Sequence, residues 1–271
     1  MPLSEMIDLH CHLLPGIDDG AKDLDTALEM ARVAVADGIH TIACTPHIYP
    51  GLYENDAAGI RRAIAALRRE LDAAGIALQL CEGADVHLTP DLLAGLRADR
   101  IPCLNRTRYL LLEPPHHVAP PRLEEQVFNL QANGYVPLIT HPERLTWIED
   151  HYPMFLRMAR AGAWLQITAG ALVGRFGKRP RYWAQRLLDE GPVHIIASDA
   201  HSVHRRPPLL AEAEVQAAQQ LGAVEASAMV RERPAAVLQN LAPDRIPAPV
   251  PRPQPASVGP FAFVRNWLRR G

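Results

Sequence analysis

The order of apolar runs along the chain predicts an α/β fold built on a parallel sheet. Short apolar runs alternate with longer segments of helical spacing, and each run is continuous rather than interrupted by polar residues. Strands of a parallel sheet have this pattern because helices cover both faces. Repeated strand–helix alternation favours a (β/α) barrel. Eight strands are standard there, so seven candidates indicate a smaller or distorted barrel or one strand missed; a doubly wound open sheet is the competing architecture.

Seven apolar runs are predicted as strands. They cover residues 6–9, 41–44, 77–81, 109–112, 136–140, 164–167 and 193–197. The helical spacing of apolar residues over 24–35 predicts a first helix, which Gly38 stops. Further helices are predicted over 55–74, 121–133, 153–160, 180–190, 208–221, 224–231 and 234–240.

Composition and charge exclude several classes of protein. The formal net charge of -2 gives no reason to expect a nucleic-acid partner, which needs a basic patch. No apolar stretch reaches the roughly 18 residues of a membrane-spanning helix, and no signal peptide is apparent. The cysteines, Cys11, Cys44, Cys81 and Cys103, form no CxxC pair. Reduced thiols in the cytoplasm are therefore expected.

The composition changes after Leu241, which predicts a boundary between a main domain of residues 1–242 and a tail of residues 243–271. Prolines at 243, 247, 249, 251, 253, 255 and 260 indicate an extended linker. Residues 261–270 are aromatic and basic. They are interpreted as a docked terminal helix or a frayed tail, or alternatively as a weak peripheral contact with the inner face of an anionic membrane.

The first strand ends in two histidines, His10 and His12. Residues two apart in an extended chain project to the same side, so both imidazoles can reach one metal ion. The loop 15–20 brings Asp18 and Asp19 to the same strand end. An Asp-Gly turn is nevertheless common without any metal.

Residues that can bind metals follow the other strands as well. They are His47 after the second strand, Glu82 and Asp85 after the third, Glu113 after the fourth, His141 after the fifth, and Asp199 and His201 after the seventh. Each one alone is more simply a capping or surface residue. The carboxyl ends of the strands form one face of a (β/α) barrel, where active sites lie. The repeated pattern therefore predicts a metal site.

The number of candidate ligands indicates more than one ion. His10, His12, Asp19, His47, Asp85, Glu113, His141, Asp199 and His201 exceed the three or four ligands of a single ion. Two or three divalent ions fit better, and mixed imidazole and carboxylate ligands suit manganese, iron or zinc. Such sites hydrolyse esters. For a phosphate ester, Arg144 and Arg206 are the candidate phosphate contacts, with Arg205 as the alternative to Arg206.

In their order along the chain these motifs resemble a known family. They are His10-Cys11-His12, the loop 15–20, Thr45-Pro46-His47, Gly83-Ala84-Asp85, Leu111-Leu112-Glu113, His141-Pro142-Glu143-Arg144, Gln166-Ile167-Thr168-Ala169-Gly170 and Ser198-Asp199-Ala200-His201. Over residues 6–240 they resemble the PHP (polymerase and histidinol phosphatase) superfamily. Within it they are most similar to the manganese-dependent protein-tyrosine phosphatases of the bacterial capsule and exopolysaccharide CpsB/CapC type. The Pro-rich tail lies outside the resemblance.

The resemblance implies a distorted (β/α)7 barrel, similar to a TIM barrel, with three metal ions, most simply Mn²⁺. His10, His12, Asp85 and Asp199 would hold the first ion, Asp85, Glu113 and His141 the second, and Asp19, His47 and His201 the third. Arg144 and Arg206 match positions that contact phosphate. One position departs from the family, in which the bridging ligand is usually a glutamate; here it is Asp85, whose side chain is shorter. Glu82 is expected on the other side of its strand.

The implied reaction is hydrolysis of phosphotyrosine on the tyrosine-rich tail of a bacterial tyrosine autokinase that regulates capsule and exopolysaccharide synthesis. Metal-bound hydroxide would attack directly, and His201 or a metal-bound water would be the general acid. No cysteine begins the Cys-x5-Arg loop of cysteine-based phosphatases. The alternatives are a small-molecule phosphoesterase on the same scaffold, acting on histidinol phosphate or nucleotides, and a catalytically idle binding module.

Overall fold

The computed structural model describes residues 5–191 and 193–252. Its strands are β1 (Met6–Cys11), β2 (Ile39–Cys44), β3 (His47–Ile48), β4 (Gln79–Glu82), β5 (Asp85–His87), β6 (Tyr109–Glu113), β7 (Val136–Thr140), β8 (Trp164–Thr168) and β9 (Val193–Ala197). Neighbouring strands run parallel, in the orders β1-β2-β4 and β3-β5-β6-β7-β8-β9. The predicted parallel α/β class is confirmed.

A short break follows each of two predicted strands, 41–44 and 77–81, and a further short strand begins after it. Thr45 and Pro46 separate β2 from β3, and Gly83 and Ala84 separate β4 from β5. A Cβ atom on Gly83 would lie 2.8 Å from the Leu104 side chain and 2.9 Å from that of Thr45, so a larger residue here would require these side chains to shift. The breaks turn His47 and Asp85 into the first residues of new strands, and these two residues are register partners.

Hydrogen bonds join the end of β1 to the segment that follows β9. The backbone N–H of Asp199 donates to the His10 carbonyl at 2.8 Å, and that of His12 donates to the Ala200 carbonyl at 2.9 Å. The buried Asp8 carboxylate accepts a further bond from the Ser198 backbone N–H at 3.0 Å and one from the Ser198 hydroxyl. The ends of the first and last strands are therefore held together.

Helices pack against both sheets. They are α1 (Leu24–Ala36), α2 (Ala57–Ala73), α3 (Leu92–Arg97), α4 (Leu123–Ala132), α5 (Ile148–Arg160), α6 (Ala169–Leu172), α7 (Lys178–Glu190), α8 (Ala211–Leu221), α9 (Ala223–Val230) and α10 (Glu232–Leu238). Sequence spacing missed α3 and α6, which are too short for a periodic pattern. None of the helices in the described part of the chain is long and apolar enough to cross a membrane.

The predicted start of α5 was wrong. Pro153 was expected to begin the helix, but it lies inside α5, which begins at Ile148. Ile148, Tyr152 and Phe155 are buried on one face of the helix, and this burial favours the extra turn over the hydrogen bond that a proline cannot donate.

The core has two parts because side chains alternate across the strands. In β6, Tyr109 and Leu111 belong to the smaller cluster, whereas Leu110 and Leu112 pack in the larger cluster. Residues buried on both faces explain why the strand sequences are continuously apolar. Ile246, which follows the last helix, also belongs to the smaller cluster.

A buried ion pair anchors the C-terminal segment. Arg233, only 1% exposed, pairs with Glu225 at 2.9 Å and donates to the carbonyls of Pro247 at 3.0 Å and Ala248 at 3.2 Å. Residues 243–252 therefore contact the main domain. The rest of the predicted tail, including 261–270, lies outside the described residues.

Replacing Arg233 by alanine is expected to lower the free energy of unfolding by about 3–5 kcal/mol, because Glu225 would stay buried without its partner. Thermal or urea unfolding measures this loss. Arg32→Ala is the control, since Arg32 and its partner Glu29 are both exposed and such pairs contribute about 1 kcal/mol or less. Equal losses in the two variants would contradict the anchoring role.

Candidate metal centre

The predicted ligand residues converge at the carboxyl ends of the strands. Nitrogen–oxygen distances of 3.3–3.6 Å link all of them into one network: His10, His12, Asp19, His47, Asp85, Glu113, His141, Asp199 and His201. The expectation that these strand ends share one face agrees with this placement.

His10 and His12 point to the same side of β1, with their Nε2 atoms 3.2 Å apart. The other ring nitrogen of each is held from behind. His10 Nδ1 lies 2.8 Å from Gln166 Oε1, and His12 Nδ1 lies 2.7 Å from Asp18 Oδ2. Such contacts fix the ring orientation of metal-binding histidines. Both Nε2 atoms are thereby directed toward Asp199, whose Oδ1 lies 3.3 and 3.4 Å away.

Four groups of side chains have ligand atoms within 4.8 Å of one another. The groups are His12, Asp19, His47 and His201; His10, His12 and Asp85; His47, Asp85 and Glu113; and Glu113, His116 and His141. Asp85 belongs to two of them, as a bridging ligand would. Glu82 instead faces Arg61 and Arg106, as strand alternation predicts.

Several buried polar atoms at this centre have no hydrogen-bond partner. They are both carboxylate oxygens of Asp85 and the Nδ1 atoms of His47 and His141. Burying such atoms without a partner is costly. Divalent cations would satisfy oxygen and imidazole donors of this kind, so the residues present fit a metal centre of two or three ions.

The pKa values of the centre show strong mutual charge interactions. Burial lowers the pKa of His10, but the charges of Asp199 and Asp85 together outweigh it and the pKa rises to about 9. Burial also lowers the pKa of His47, but its contacts with Glu113 and Asp85 together outweigh it and the pKa rises to about 10. Burial opposes ionisation of Glu113, yet hydrogen bonds from His116 and the neighbouring histidines together hold its pKa well below the usual range. Protons on the histidines offset the carboxylate charges here, and bound divalent cations would displace these protons.

His141 and His201 respond in the opposite direction. Burial and the nearby charge of Arg144 hold the pKa of His141 well below its usual range. Burial and the charge of His12 lower the pKa of His201 to about 4. Both imidazoles are therefore neutral at neutral pH, which is the form that binds metals.

Two residues of the centre, His141 and Asp199, have left-handed backbone conformations, with φ of 33° and 51°. Non-glycine residues rarely adopt such angles, and they cluster at functional sites. Glycine is required at a third position. A Cβ atom on Gly20 would lie 2.2 Å from the His12 carbonyl oxygen, so the loop 15–20 can pack against β1 only with glycine there.

Both predicted phosphate contacts reach the centre. Arg144 and Arg206 each pair with Oδ2 of Asp199, the latter at 2.5 Å. Their guanidinium groups lie over the Phe176 ring, 4.8 and 5.8 Å from its centroid. Arg205 is exposed and is not among the residues that line the cleft.

A cleft of about 440 Å³ opens above the centre and is lined by Asp19, His47, Glu113, His141, Asp199, His201 and both predicted phosphate contacts. Its walls include His87 and His116, which lie 3.5 and 3.3 Å from Glu113. Neither was predicted from the sequence, nor was the support that Asp18 and Gln166 give to the histidines of β1. The pair His116-His117, three and four residues after Glu113, was the available signal.

The comparisons with known proteins agree on one family. A family model described as capsular polysaccharide synthesis, CpsB/CapC, matches residues 6–239. Tyrosine-protein phosphatase YwqE of Bacillus subtilis (strain 168) is 39% identical over 201 residues, which cover 74% of this chain and 79% of YwqE. Tyrosine-protein phosphatase CpsB of Streptococcus agalactiae is 28% identical over 244 residues, which cover 87% of this chain and 99% of CpsB.

The same relationship appears among solved structures. A chain from the crystal structures of YwqE from Bacillus subtilis and CpsB from Streptococcus pneumoniae, described as unique metal-dependent tyrosine phosphatases, has a TM-score of 0.84 and 37% sequence identity. The match covers 91% of this chain and 100% of that chain.

Replacing Gly20 by alanine is expected to reduce the number of bound Mn²⁺ ions, because the new Cβ would force the loop that carries Asp18 and Asp19 away from His12. Metal analysis of Mn²⁺-loaded, gel-filtered protein measures the loss, and circular dichroism checks the fold. Gly134→Ala is the control: it strains a positive φ in open space far from the metal ligands. The same metal content in both variants would refute this role of Gly20.

Proposed function

The chain belongs to the family described as capsular polysaccharide synthesis, CpsB/CapC, and we propose that it is a metal-dependent tyrosine-protein phosphatase. The observation that carries the proposal is the convergence of imidazoles, carboxylates and two arginines at the base of one cleft. Its substrate would be a phosphorylated tyrosine autokinase that regulates capsule and exopolysaccharide synthesis. The cytoplasm is the proposed compartment, which suits four free cysteines.

For the fold we propose a single distorted (β/α)7 barrel. The breaks after β2 and β4 divide two of its seven strands, which accounts for the two hydrogen-bonded sheets. The bonds from His12 and Asp199 that join the ends of β1 and β9 support closure. A barrel would bring all strand ends to one face.

The proposed ligands of the ions fall into three sets. They are His10, His12, Asp85 and Asp199; Asp85, Glu113 and His141; and Asp19, His47 and His201. Mn²⁺ is the proposed metal, since mixed carboxylate and imidazole ligands suit it and the family resemblance implies it. When bound, such ions lower the pKa of water and offset the negative charge of a phosphoryl group.

The arginines would bind the phosphoryl group. Arg144 and Arg206 approach one oxygen of Asp199 from different loops, so their donors converge beside the metal ligands. A guanidinium binds phosphate through two parallel hydrogen bonds. The Phe176 ring beneath both arginines keeps them extended toward the cleft.

His201 suits the role of ligand better than that of acid. With a pKa of about 4 it carries no proton to donate at neutral pH. A tyrosinate leaving group, with a pKa near 10, requires only modest help from an acid.

The rim of the cleft supports an aromatic substrate. Leu52 and Val118 are 61% and 68% exposed and stand at its mouth with Tyr49. Exposed apolar side chains beside a charged base would cover the ring of phosphotyrosine while its phosphate reaches the arginines. A small, polar phosphate ester would leave this rim uncovered.

The decisive experiment is a metal-dependence assay on a phosphotyrosine peptide from the tail of a candidate kinase. Hydrolysis is expected with Mn²⁺ and is expected to stop when a chelator removes it. Much faster turnover of histidinol phosphate or nucleotides would instead favour a small-molecule phosphoesterase. Absence of turnover of any phosphate ester by protein that has bound Mn²⁺ would favour an idle binding module.

Arg144→Ala and Arg206→Ala are each expected to lower kcat/KM for the phosphotyrosine peptide about 100-fold, because charge on the phosphoryl group loses a fixed donor. Bound Mn²⁺ is measured in parallel, because both arginines also pair with the proposed ligand Asp199. The exposed Arg205→Ala is the matched control and should keep wild-type kinetics. If Arg205→Ala were as impaired as the other two variants, the assignment of the phosphate site would fail.

Leu52→Ser and Val118→Ser are expected to raise KM for the phosphotyrosine peptide about fivefold each, since roughly 1 kcal/mol of apolar contact is lost. Turnover of a small alkyl phosphate should not change. Val224→Ser serves as the control because this valine is 88% exposed in α9 and lies outside the cleft. Equal effects on aryl and alkyl phosphates would argue against a rim that recognises the ring.

A further inference from the structure

We propose that His116 is a metal ligand, in the set formed by Glu113 and His141. This inference rests on the proposed metal dependence and adds a residue that the motif comparison did not include. His116 lies in the loop between β6 and α4, three residues after Glu113.

The geometry of three side chains carries the inference. His116 Nε2 lies 3.3 Å and His141 Nε2 lies 3.6 Å from the same oxygen, Oε1 of Glu113. The two imidazole rings are 4.9 Å apart between centroids. The three residues thus offer two imidazole nitrogens and one carboxylate oxygen, and these ligand atoms lie within 4.8 Å of one another. Three such donors are a common set for a catalytic ion, which keeps further positions open.

Asp85 does not belong to the group formed by Glu113, His116 and His141. Its ligand atoms group with those of His10 and His12 on one side and of His47 and Glu113 on the other, whereas His141 groups with Glu113 and His116. An aspartate side chain is one methylene shorter than a glutamate. His116 would therefore add a donor to Glu113 and His141 and supplement Asp85, which does not group with His141.

The backbone around His116 is anchored, as a ligand position requires. The His116 carbonyl accepts hydrogen bonds from the Thr146 backbone N–H at 3.0 Å and from its hydroxyl at 3.1 Å. The preceding Pro115 carbonyl accepts one from the Trp147 indole at 2.8 Å. These bonds tie the loop after β6 to the loop after β7, which carries His141.

A competing role for His116 is to orient Glu113 through a hydrogen bond alone. Glutamine separates the two roles, because its amide can donate to Glu113 but is a poor metal ligand compared with imidazole. The neighbour His117 provides a matched control for metal binding. It is exposed and belongs to none of the ligand groups among the described residues.

The test measures metal binding directly, without substrate. Apo-protein is titrated with Mn²⁺ by calorimetry, and retained Mn²⁺ is counted after dialysis against a weak chelator. His116→Gln and His116→Ala are each expected to weaken one class of site about 100-fold or more, since loss of even an indirect partner costs about 10- to 100-fold. They should retain one ion fewer per chain than the wild type, whereas His117→Ala should retain the full number.

Three outcomes would overturn the inference. Wild-type affinity in His116→Gln would leave His116 as a positioning residue for Glu113. Equal losses in the His116 variants and His117→Ala would point to a general effect of the loop. A wild-type protein that hydrolyses phosphotyrosine and binds Mn²⁺, with His116 variants that bind it equally well, would refute the ligand role alone and leave the proposed function standing.

Discussion

The buried Asp199 carboxylate holds the centre together. One of its oxygens faces His10 and His12, while the other is shared by Arg144 and Arg206. Those positive charges hold the pKa of Asp199 far below its usual range despite its burial, which alone would raise it. A buried charge of this kind persists only where its partners are fixed in place. The geometry of the proposed metal ligands and of the proposed phosphate contacts is therefore coupled through one side chain.

The fold holds the partners of Asp199 in place by joining the ends of β1 and β9. Asp8 and Ser198 join the two strands just below the centre, and Asp199 follows Ser198 directly. The left-handed conformation of Asp199 turns its carboxylate toward the histidines of β1. Strand breaks have a similar effect at His47 and Asp85, which begin new strands beside each other instead of continuing the old ones.

Charge and apolar surface are divided within the cleft in a way that explains the proposed substrate. The base concentrates ionisable groups that metals and phosphate can satisfy, and the mouth exposes Leu52 and Val118. A phosphorylated aromatic side chain has a charged phosphate that matches the base and an apolar ring that matches the mouth. Both arginines stand beside the proposed metal ligands and over the Phe176 ring, so they would set the depth that its phosphate reaches.

The sequence by itself determined the parallel α/β class, the convergence of nine ligand-type residues and the family. The convergence follows because the motifs lie at the carboxyl ends of the strands, and those ends share one face in a parallel fold. It could not determine that α5 begins before Pro153, since burial of Tyr152 and Phe155 decides this. It also could not show that Asp18 and Gln166 hold His12 and His10, or that His116 meets His141. Gln166 and His141 each lie more than twenty residues along the chain from their partner, and Asp18 meets His12 only through the folded loop. Only the tertiary structure brings these pairs together.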